Sequence, residues 1–551
     1  NLDMTDHSTP PARRATEIHG FIRRQGKYLV DENGDEWFIR GGSFDGGVLG
    51  GGNGWNPSEP YRANPRDEGY RGFAEMGINT VRFLINENLF RPLQPGEPLR
   101  ESALDWIQEN VDWAKKYNIR LILNMHVVPG SSWAHGNGTH LFEEENARLW
   151  LDIWTFIARR FAEEPVIAGY SFWNEQFAPA MDSFSEALEV YGGLYQRCID
   201  AVRQVDKKHL IVCEQMYGRL KDDRCYDLEV PAFPPLREEN LMYEYHDYAP
   251  PDFCFQGDWK EPGTVYGSPF IADFGLRRGA KALAPERLEA AAMNSGFTAL
   301  RTGAIGTAGA KALAASPVIA LVGDVPAGAA AFVDDWQVRA FDAQGRDQGV
   351  VLSCGVDNPF PVRRLVYEEY RGKVSFDAAV GNTAPGSLRV TETEGRIELC
   401  SWSQDFFRVQ PGWSYTVEAF FQGEALPDGV QAQLGLQFWE SPVYGRLFGL
   451  DREMIAASTA RFSDWRDAHG YPVYCGEWGA MYTALAPGMH GEQWVDDVLS
   501  VFLEQQMYFA VHSQYAMYGP ESQPTFAELQ GHGQYVTVVE EAYRRWMPRF
   551  Y

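Results

Sequence analysis

Short apolar runs that end in polar residues recur along the chain, and this rhythm restricts the possible folds more than any other feature of the sequence. Six such runs occur before residue 249, roughly 35–45 residues apart, with amphipathic helical patterns between them. Nearly continuous apolar runs are typical of strands buried on both faces, as in a parallel sheet. The spacing therefore predicts consecutive β/α units. The six predicted strands are Trp37–Phe44, Thr80–Ile85, Arg120–His126, Ile167–Glu175, Leu210–Gln215 and Leu241–Tyr248.

Two more apolar runs, Pro472–Trp478 and Met507–Ala516, occur only near the end of the chain, and a predicted helix, Arg452–His469, precedes the first of them. Six strands and two make eight, the number in a closed (β/α)8 barrel. We therefore predict an α/β fold in which residues 17–271 and 441–551 form one TIM barrel. The interruption falls between the sixth strand and the helix that follows it. Two sequential domains would instead leave six β/α units with open edges.

The intervening residues 272–440 have a different pattern, with alternating segments separated by Gly, Pro and Asp. Period-two alternation with frequent turns predicts an inserted antiparallel β-sandwich. The run from Gly395 to Glu424 resembles jelly-roll carbohydrate-binding modules, and the segment Phe332–Val338 resembles their last strand, so the resemblance implies a permuted module. The insertion contains four Trp residues that could bind sugar, although Trp residues in such a domain are more often part of the core. They are Trp336, Trp402, Trp413 and Trp439. Residues 1–16 form a polar tail without the apolar region of a signal peptide.

Composition limits the partners that this chain favours. The sequence has 49 Lys and Arg against 75 Asp and Glu, a formal net charge of −26, which disfavours nucleic acid and anionic membranes. No apolar stretch is long enough to span a bilayer. The seven cysteines are scattered without a CxxC pair, which argues against a disulfide scaffold or a zinc ribbon and leaves the compartment open. The oligomeric state is open as well.

Functional groups of a barrel lie at the carboxyl ends of its strands. No GxSxG, GxGxxG or GxxxxGK[ST] motif stands in the required context, so we predict no serine nucleophile and no nucleotide or other organic cofactor. His126, His135 and His140 are nine and five residues apart across a Gly-rich loop, which is not typical ligand spacing, so we predict no metal. The polar residues that end the predicted strands are Arg82, His126, Asn174, Glu175, Glu214, His246, Tyr248, Glu477 and Gln514.

Glu175 in SFWNEQ and Glu477 in YCGEWG form the most informative pair, because they end the predicted fourth and seventh strands. Strand ends on opposite sides of a barrel mouth can face one another across a few ångströms. Two carboxyl groups about 5–5.5 Å apart suit a retaining glycosidase, in which one attacks the anomeric carbon and the other donates and then removes a proton. The two environments must then separate the two pKa values.

These residues, in this order, resemble glycoside hydrolase family 5, a family of retaining (β/α)8 glycosidases, over roughly residues 18–258 and 449–548. The resemblance implies that Glu175 is the acid/base and that Glu477 is the nucleophile. It also implies that five further residues surround the sugar at the cleavage point. These residues are Arg82 in TVRF, His126 in LNMH, Asn174 in WNE, and His246 and Tyr248 in YEYHDYAP.

Two departures from the family pattern concern the substrate more than the chemistry. Gln176 stands where the family usually has Pro after the acid/base. The eighth strand usually ends in a Trp under the sugar, but no Trp occurs between Val511 and Gly519, so Tyr515, His512 or a Trp from another loop would take its place. Sugar rings stack on aromatic side chains, and the candidates by position are Trp133, Trp173, Trp259 and Trp478.

The sequence therefore predicts a retaining hydrolase of a β-linked glucan, a mannan, or an oligosaccharide or glycoside derived from one. Glu214 and Glu244 are interpreted as structural carboxylates, Glu244 because it lies deeper in its strand. One alternative is an exo-acting β-glycosidase or transglycosylase, since the loop after Asp45 and the insertion could close one end of the cleft. Another is a barrel that binds carbohydrate without catalysis. A polysaccharide substrate favours a secreted or periplasmic location, and a cytoplasmic one stays open.

Overall fold

The computed structural model describes residues 9–44, 66–131, 139–177, 179–218, 221, 231–257, 260–307, 309–365, 372–400, 403–481, 483–512 and 533–551. The chain divides into two compact units. One comprises Asn1–Ala249 together with Ile455–Tyr551, and the other comprises Pro250–Met454. The exact ends of the predicted insertion, 272 and 440, stay a prediction. Among the described helices, none has the length and apolar character needed to cross a bilayer.

The first unit contains a closed barrel of eight parallel strands, as predicted. Neighbours in the barrel are neighbours in the sequence, and the last strand closes the barrel by pairing with the first, Phe509 opposite Arg40 and Val511 opposite Gly42. In chain order the barrel strands are Arg40–Phe44, Thr80–Asn86, Arg120–Val127, Ile167–Ser171, Leu210–Glu214, Leu241–His246, Val473–Trp478 and Tyr508–Val511. The insertion lies between the sixth strand and the helix Arg452–His469, where the sequence placed it.

The fourth barrel strand ends at Ser171, four residues earlier than the prediction, because the backbone of Phe172 bonds to side chains and leaves the sheet. Its N–H donates to Tyr195 Oη at 3.0 Å. Its carbonyl accepts from the indoles of Trp150 and Trp154 at 2.9 and 3.2 Å. Asn174 and Glu175 therefore lie in a turn beyond the strand.

The helices of the barrel unit bury one face each. In Glu144–Phe161 the buried stripe includes Trp150 and Trp154, whereas Leu149 and Phe156 are only half-buried. The α-helices with residues in this unit are Arg66–Glu75, Glu101–Lys116, Glu144–Phe161, Phe184–Val202, Arg452–His469, Gly491–Gln505 and Gly533–Trp546. Shorter elements are the strands Arg23–Gln25 and Tyr28–Val30 and the 3-10 turns Glu87–Leu89, Thr139–Phe142 and Met547–Phe550.

The second unit contains two antiparallel sheets, as the alternating segments predicted. One sheet consists of Thr298–Arg301, Ile305–Gly306, Ala330–Phe341, Asp347–Cys354, Val374–Asp377, Ser387–Val390 and Ser414–Glu424. The other consists of Arg277–Glu289, Ala314–Val322, Arg396–Cys400, Phe407–Arg408 and Gln431–Glu440. The helical segments of the unit are Pro251–Cys254, Ala290–Met293, Phe360–Leu365 and the 3-10 turn Ser403–Asp405.

Apolar side chains from both sheets form one core in this unit, as in a sandwich. Alternate residues of its central strands, such as Val417 and Phe421, are fully buried. Trp336 and Trp439 are 1% and 0% exposed, so they are core residues and offer no face to a sugar. Trp413 packs partly buried against the core, and Trp402 lies outside the described residues.

Candidate active site

The carboxyl ends of the barrel strands bring most of the predicted polar residues into one cluster. Glu477 is the next-to-last residue of the seventh strand, and His246 is the last residue of the sixth. Glu175 lies in the turn after the fourth strand, with a left-handed φ of 43° that is uncommon for a residue other than Gly. Because the strands are parallel, all of these ends meet at one mouth of the barrel.

Arg82, which lies within the second strand, is the centre of this cluster. Its side chain is fully buried, and it donates from Nη1 to Glu477 Oε1 and from Nη2 to Asn174 Oδ1, both at 2.7 Å. Its Nε lies 2.7 Å from Glu244 Oε1. One guanidinium therefore fixes the positions of the candidate nucleophile and of the residue before the candidate acid/base, which charge-assisted hydrogen bonds do well.

Glu477 and Glu175 are linked by His246. His246 Nδ1 lies 3.0 Å from Glu175 Oε1 and 3.3 Å from Glu477 Oε2. An oxygen of each carboxyl group and a nitrogen of this imidazole all lie within 4.8 Å of one another. Tyr248 donates to Glu477 Oε2 at 2.7 Å. Residues from the second, fourth, sixth and seventh strands and the turns that follow them therefore form one contiguous site.

The two candidate catalytic carboxyl groups, Glu477 and Glu175, have different surroundings. Burial by itself raises the pKa of Glu477. The neighbouring His246, His512 and Arg82 lower that pKa by more than burial raises it, to well below the ordinary value. The side chain of Glu175, in contrast, keeps 18% of its surface exposed at the mouth. Glu477 is therefore held as an anion beneath a carboxyl group that solvent can reach.

His246 is held as a cation. Burial lowers its pKa, but the acidic side chains that surround it, Glu214 and Glu477 first, raise the pKa well above the ordinary histidine value. Its hydrogen bonds to Glu175 and Glu244 act in the same direction. The positive charges of His246 and Arg82 thus offset part of the negative charge of the carboxyl groups.

Two further histidines, His126 and His512, flank Glu477. Their rings are nearly parallel, with centroids 6.0 Å apart. Burial is the largest influence on both and lowers the pKa of each, so both are neutral near pH 7. His512 Nδ1 lies 3.6 Å from Glu477 Oε1. His126 Nδ1 lies 3.1 Å from Asn124 Oδ1 and is oriented by that contact.

Glu214 and Glu244, interpreted from the sequence as structural, both contact this site. Glu214 Oε2 accepts the backbone N–H of Glu175 at 2.9 Å, and Glu244 Oε1 lies 3.0 Å from His246 Nε2. A Cβ atom at Gly476 would come within 1.8 Å of Glu244 Oε1, so only Gly leaves room for that carboxyl group. Glu244 also contacts Arg82, whose Nε lies 2.7 Å from Glu244 Oε1. A signal for both was available, since each lies on a barrel strand at an inward position.

The aromatic candidates fare differently. Trp133 and Trp259, like Gln514, Tyr515 and His135, lie outside the described residues. Trp478 is 1% exposed and packs against Trp494, Phe502 and Tyr543. Trp173 is fully buried. Trp478 follows Glu477 on the same strand and therefore points to the opposite side, towards the helices. Neither Trp478 nor Trp173 offers a sugar-stacking surface, which corrects that part of the prediction.

Two sets of side chains here have spacing that a metal ion could bridge: Glu175, His246 and Glu477, and separately Glu214, Glu244 and His246. Both sets depend on His246. A metal ligand must be a neutral imidazole, whereas the surrounding carboxyl groups raise the pKa of His246 and favour its charged form. Binding of a cation at either set would therefore require His246 to lose a proton.

Comparison with known proteins shows a similarity to one family over part of the barrel. Residues 30–286 match the sequence model of the cellulases of glycosyl hydrolase family 5. Endoglucanase C of Acetivibrio thermocellus is 25% identical over 195 residues, which is 35% of this chain and 53% of that protein. A glucan 1,3-beta-glucosidase of Schwanniomyces occidentalis is 23% identical over 125 residues, 21% of this chain and 29% of that protein.

The chain thus spans about half the length of the endoglucanases that it matches. Among solved structures, endoglucanase Cel5A from Thermotoga maritima is similar with a TM-score of 0.45 and 13% identity, over 92% of this chain and 96% of that one. The family match contains the first six of the eight barrel strands. It includes Arg82, His126, Glu175 and His246. Residues 30–286 of this chain are therefore similar to the cellulases of glycosyl hydrolase family 5.

Proposed function

We propose that this protein hydrolyses a β-glycosidic bond with retention of configuration, with Glu477 as the nucleophile and Glu175 as the acid/base. The observation that carries this proposal is the distance between the two carboxyl groups, whose nearest ligand oxygens lie within 4.8 Å of each other. Carboxyl groups about 5–5.5 Å apart suit double displacement, whereas inversion needs about 6.5–9.5 Å to hold a water.

The division of roles follows from the surroundings of each group. Glu477 accepts hydrogen bonds from Arg82 and Tyr248, and its lowered pKa keeps it ionised, as a nucleophile must be. Glu175 is the more exposed of the two, at 18% against 4% for Glu477. A group at the open side of the mouth is suited to exchange protons with a leaving group and with water.

In the first step an oxygen of Glu477 bonds to the anomeric carbon while the bond from that carbon to the leaving oxygen breaks. Glu175 gives its proton to that oxygen. In the second step Glu175 removes a proton from water, the water oxygen bonds to the anomeric carbon, and Glu477 leaves as a carboxylate. Asn174 Oδ1 is taken by Arg82, which orients the amide nitrogen as the group that would donate to the sugar 2-hydroxyl. Carboxyl groups and water supply the whole reaction.

For the substrate, we propose a β-linked glucan or mannan, or an oligosaccharide or glycoside derived from one. The names of the matched relatives, endoglucanase and glucan 1,3-beta-glucosidase, support a glucan. The same names include both internal and terminal cleavage, so the mode is tested by product size. Release of mixed oligosaccharides from a long soluble β-glucan supports an open groove, and release of only mono- or disaccharides supports an exo-acting enzyme.

The function is tested with Glu175→Gln and Glu477→Gln on an aryl β-cellobioside. Each substitution should lower kcat at least about 10²-fold, because a positioned acid/base alone typically contributes about 10²–10⁴-fold. Asp206→Asn is a matched control, since Asp206 is another buried carboxyl group of the barrel unit and contacts His209 instead. If neither glutamate variant loses more activity than this control, the two glutamates are not the catalytic pair, and a wild type without activity would favour a non-catalytic carbohydrate-binding barrel.

Azide separates the two roles. In Glu477→Ala, azide should bond to the anomeric carbon from the face that the nucleophile has left and give the α-glycosyl azide. In Glu175→Ala, azide should attack the glycosyl-enzyme and give the β-glycosyl azide. The opposite pattern of products would exchange the two assignments, and no azide product in either variant would argue against a covalent intermediate.

A further inference from the structure

The turn that presents Glu175 is conformationally demanding. Glu175 has a φ of 43°, in the left-handed region where residues with a side chain are strained. Such a conformation persists only where surrounding contacts hold it. In this chain the residue after Glu175 is Gln176, a residue that does not restrict the backbone as proline does.

The contacts that hold this turn come from the end of the fifth barrel strand. Glu214, the last residue of that strand, accepts the backbone N–H of Glu175 at 2.9 Å. Gln176 Nε2 donates to the carbonyl of Gln215 at 2.9 Å and also to the carbonyl of Glu214. The side chain of Gln176 has no exposed surface, so water cannot replace these bonds.

Glu214 also reaches the imidazole that bonds to Glu175. Glu214 Oε1 lies 3.3 Å from His246 Nδ1, and that nitrogen lies 3.0 Å from Glu175 Oε1. Glu214 therefore contacts both the backbone of Glu175 and the partner of its carboxyl group. Its own side chain is fully buried and lies beneath the turn, where a sugar cannot touch it.

Burial also affects the pKa of Glu214. It is the largest influence on Glu214 and raises the pKa of this carboxyl group well above the ordinary value, more than the nearby His246 lowers it. A carboxyl oxygen accepts the N–H of Glu175 whether the group is protonated or ionised, so this contact does not depend on the charge of Glu214.

We propose that Glu214 is a positioning residue that fixes the acid/base glutamate by holding its backbone and its histidine partner together. This inference rests on the proposed function, because it concerns the proton transfer that Glu175 performs. Loss of the contact would leave Glu477 in place and displace Glu175. The defect should therefore affect the step that needs acid assistance more than the step that needs only the nucleophile.

The test compares kcat/KM for two substrates, 2,4-dinitrophenyl β-cellobioside and phenyl β-cellobioside. Dinitrophenolate leaves without protonation, whereas the phenyl substrate needs the proton of Glu175. Glu214→Leu removes both contacts, and Glu214→Asp withdraws the carboxyl group by about 1.5 Å, the length of one C–C bond. Both variants should lower kcat/KM for the phenyl substrate about 10–100-fold, within the contribution of a positioned acid. The value for the dinitrophenyl substrate should fall less than about threefold.

Glu214→Gln keeps an oxygen that can accept the N–H of Glu175, so its ratio of the two kcat/KM values should stay within about threefold of the wild type. Asp206→Asn is the control for loss of a buried carboxyl group that contacts a histidine, and it should leave the ratio unchanged. Circular dichroism and thermal unfolding identify any variant that fails to fold. If Glu214→Leu fails to fold, the two kcat/KM values are compared between Glu214→Asp and Glu214→Gln.

Equal losses on both substrates in Glu214→Leu and Glu214→Asp would overturn the proposal, and so would a Glu214→Gln variant that behaves like Glu214→Leu. Glu175→Ala, measured in parallel, separates this failure from failure of the proposed function. If Glu175→Ala shows the strong dependence on the leaving group and the Glu214 variants do not, only the positioning role is wrong. If Glu175→Ala shows no such dependence, the assignment of the acid/base is wrong.

Discussion

The guanidinium of Arg82 and the carboxylate of Glu477 are joined by a 2.7 Å hydrogen bond between residues that are 395 positions apart in the chain. Both side chains are almost completely buried, at 0% and 4% exposure. A buried pair of this kind gives weak net stability when intact, but removing one partner leaves a charge that nothing compensates. The pair therefore makes the fold of the barrel and the charge of the candidate nucleophile depend on each other.

Arg82→Met should lower the free energy of unfolding by about 3–5 kcal/mol, because it leaves Glu477 and Glu244 without their shared cation. Urea unfolding measures this change. The control is Arg91→Met, which breaks the ion pair of the half-exposed Arg91 with Glu87 and should cost at most about 1 kcal/mol. Equal costs for the two variants would show that the buried cluster is not coupled to the stability of the barrel.

Tyr248→Phe should move the acidic limb of the kcat/KM profile to higher pH. Tyr248 donates a 2.7 Å hydrogen bond to Glu477 Oε2, which favours the ionised form, so removing the donor raises the pKa of Glu477. A hydrogen bond to a charged group contributes about 1.5–3 kcal/mol, so the limb should rise by about one unit or more.

Tyr245→Phe is the control for this shift, because Tyr245 lies on the sixth strand, three residues before Tyr248, and stacks on Phe462, with ring centroids 3.7 Å apart. This variant should leave the acidic limb where it is in the wild type. A profile of Tyr248→Phe that coincides with that of Tyr245→Phe would refute the role of the tyrosine hydroxyl.

The histidines of the site should differ in charge near pH 7. The raised pKa of His246 keeps both of its nitrogens protonated as the pH rises through the range in which ordinary histidines lose a proton. The lowered pKa of His126, caused mainly by burial, keeps its imidazole neutral down to acidic pH. Nitrogen-15 NMR of the imidazoles between pH 5 and 8, assigned with His246→Asn and His126→Asn, measures both. Titration of either ring near pH 6.5 would contradict the charge assignment.

Asp206 should make the barrel unit sensitive to acid. Burial raises the pKa of Asp206, but the hydrogen bond from His209 and the backbone N–H groups of Lys208 and His209 lower it to about 2. A carboxyl group with a lowered pKa in the folded state stabilises the fold above its unfolded pKa of about 3.9. That contribution of about 2 kcal/mol is lost as the pH falls from about 4 to 2.

Denaturant unfolding at pH 6 and at pH 2.5 checks this dependence on pH. The wild type should lose more free energy of unfolding between these two conditions than Asp206→Asn, which has no proton to gain at this position. The same loss in both proteins would place the acid sensitivity elsewhere.

Much of the barrel could be predicted because its strands repeat a simple chemical pattern. Apolar residues that face the core on both sides of a parallel sheet must be nearly continuous, so runs such as Thr80–Ile85 are visible without the structure. The order of Arg82, Asn174, Glu175 and Glu477 at successive strand ends was visible for the same reason. The length of the fourth strand was not, because the side chains of Trp150, Trp154 and Tyr195 decide where its backbone leaves the sheet.

The charge states of the site residues could not be predicted from the sequence, because they depend on the tertiary structure. Glu214 and Glu244 follow apolar residues as Glu477 does, and nothing in the sequence distinguishes their surroundings. The burial of Trp478 also depended on the tertiary structure. Adjacent positions on one strand point to opposite sides, so Trp478 faces the helices while Glu477 faces the site.

By itself, then, the sequence determined that eight parallel strands close a barrel, that antiparallel sheets interrupt it, and which polar residues end its strands. Periodicity and order along the chain are local properties that each segment carries alone. Only the tertiary structure decided which carboxyl group is ionised, which imidazole is charged and which indole is covered. Those properties depend on burial and on distances of a few ångströms between segments far apart in the chain, and no local pattern encodes them.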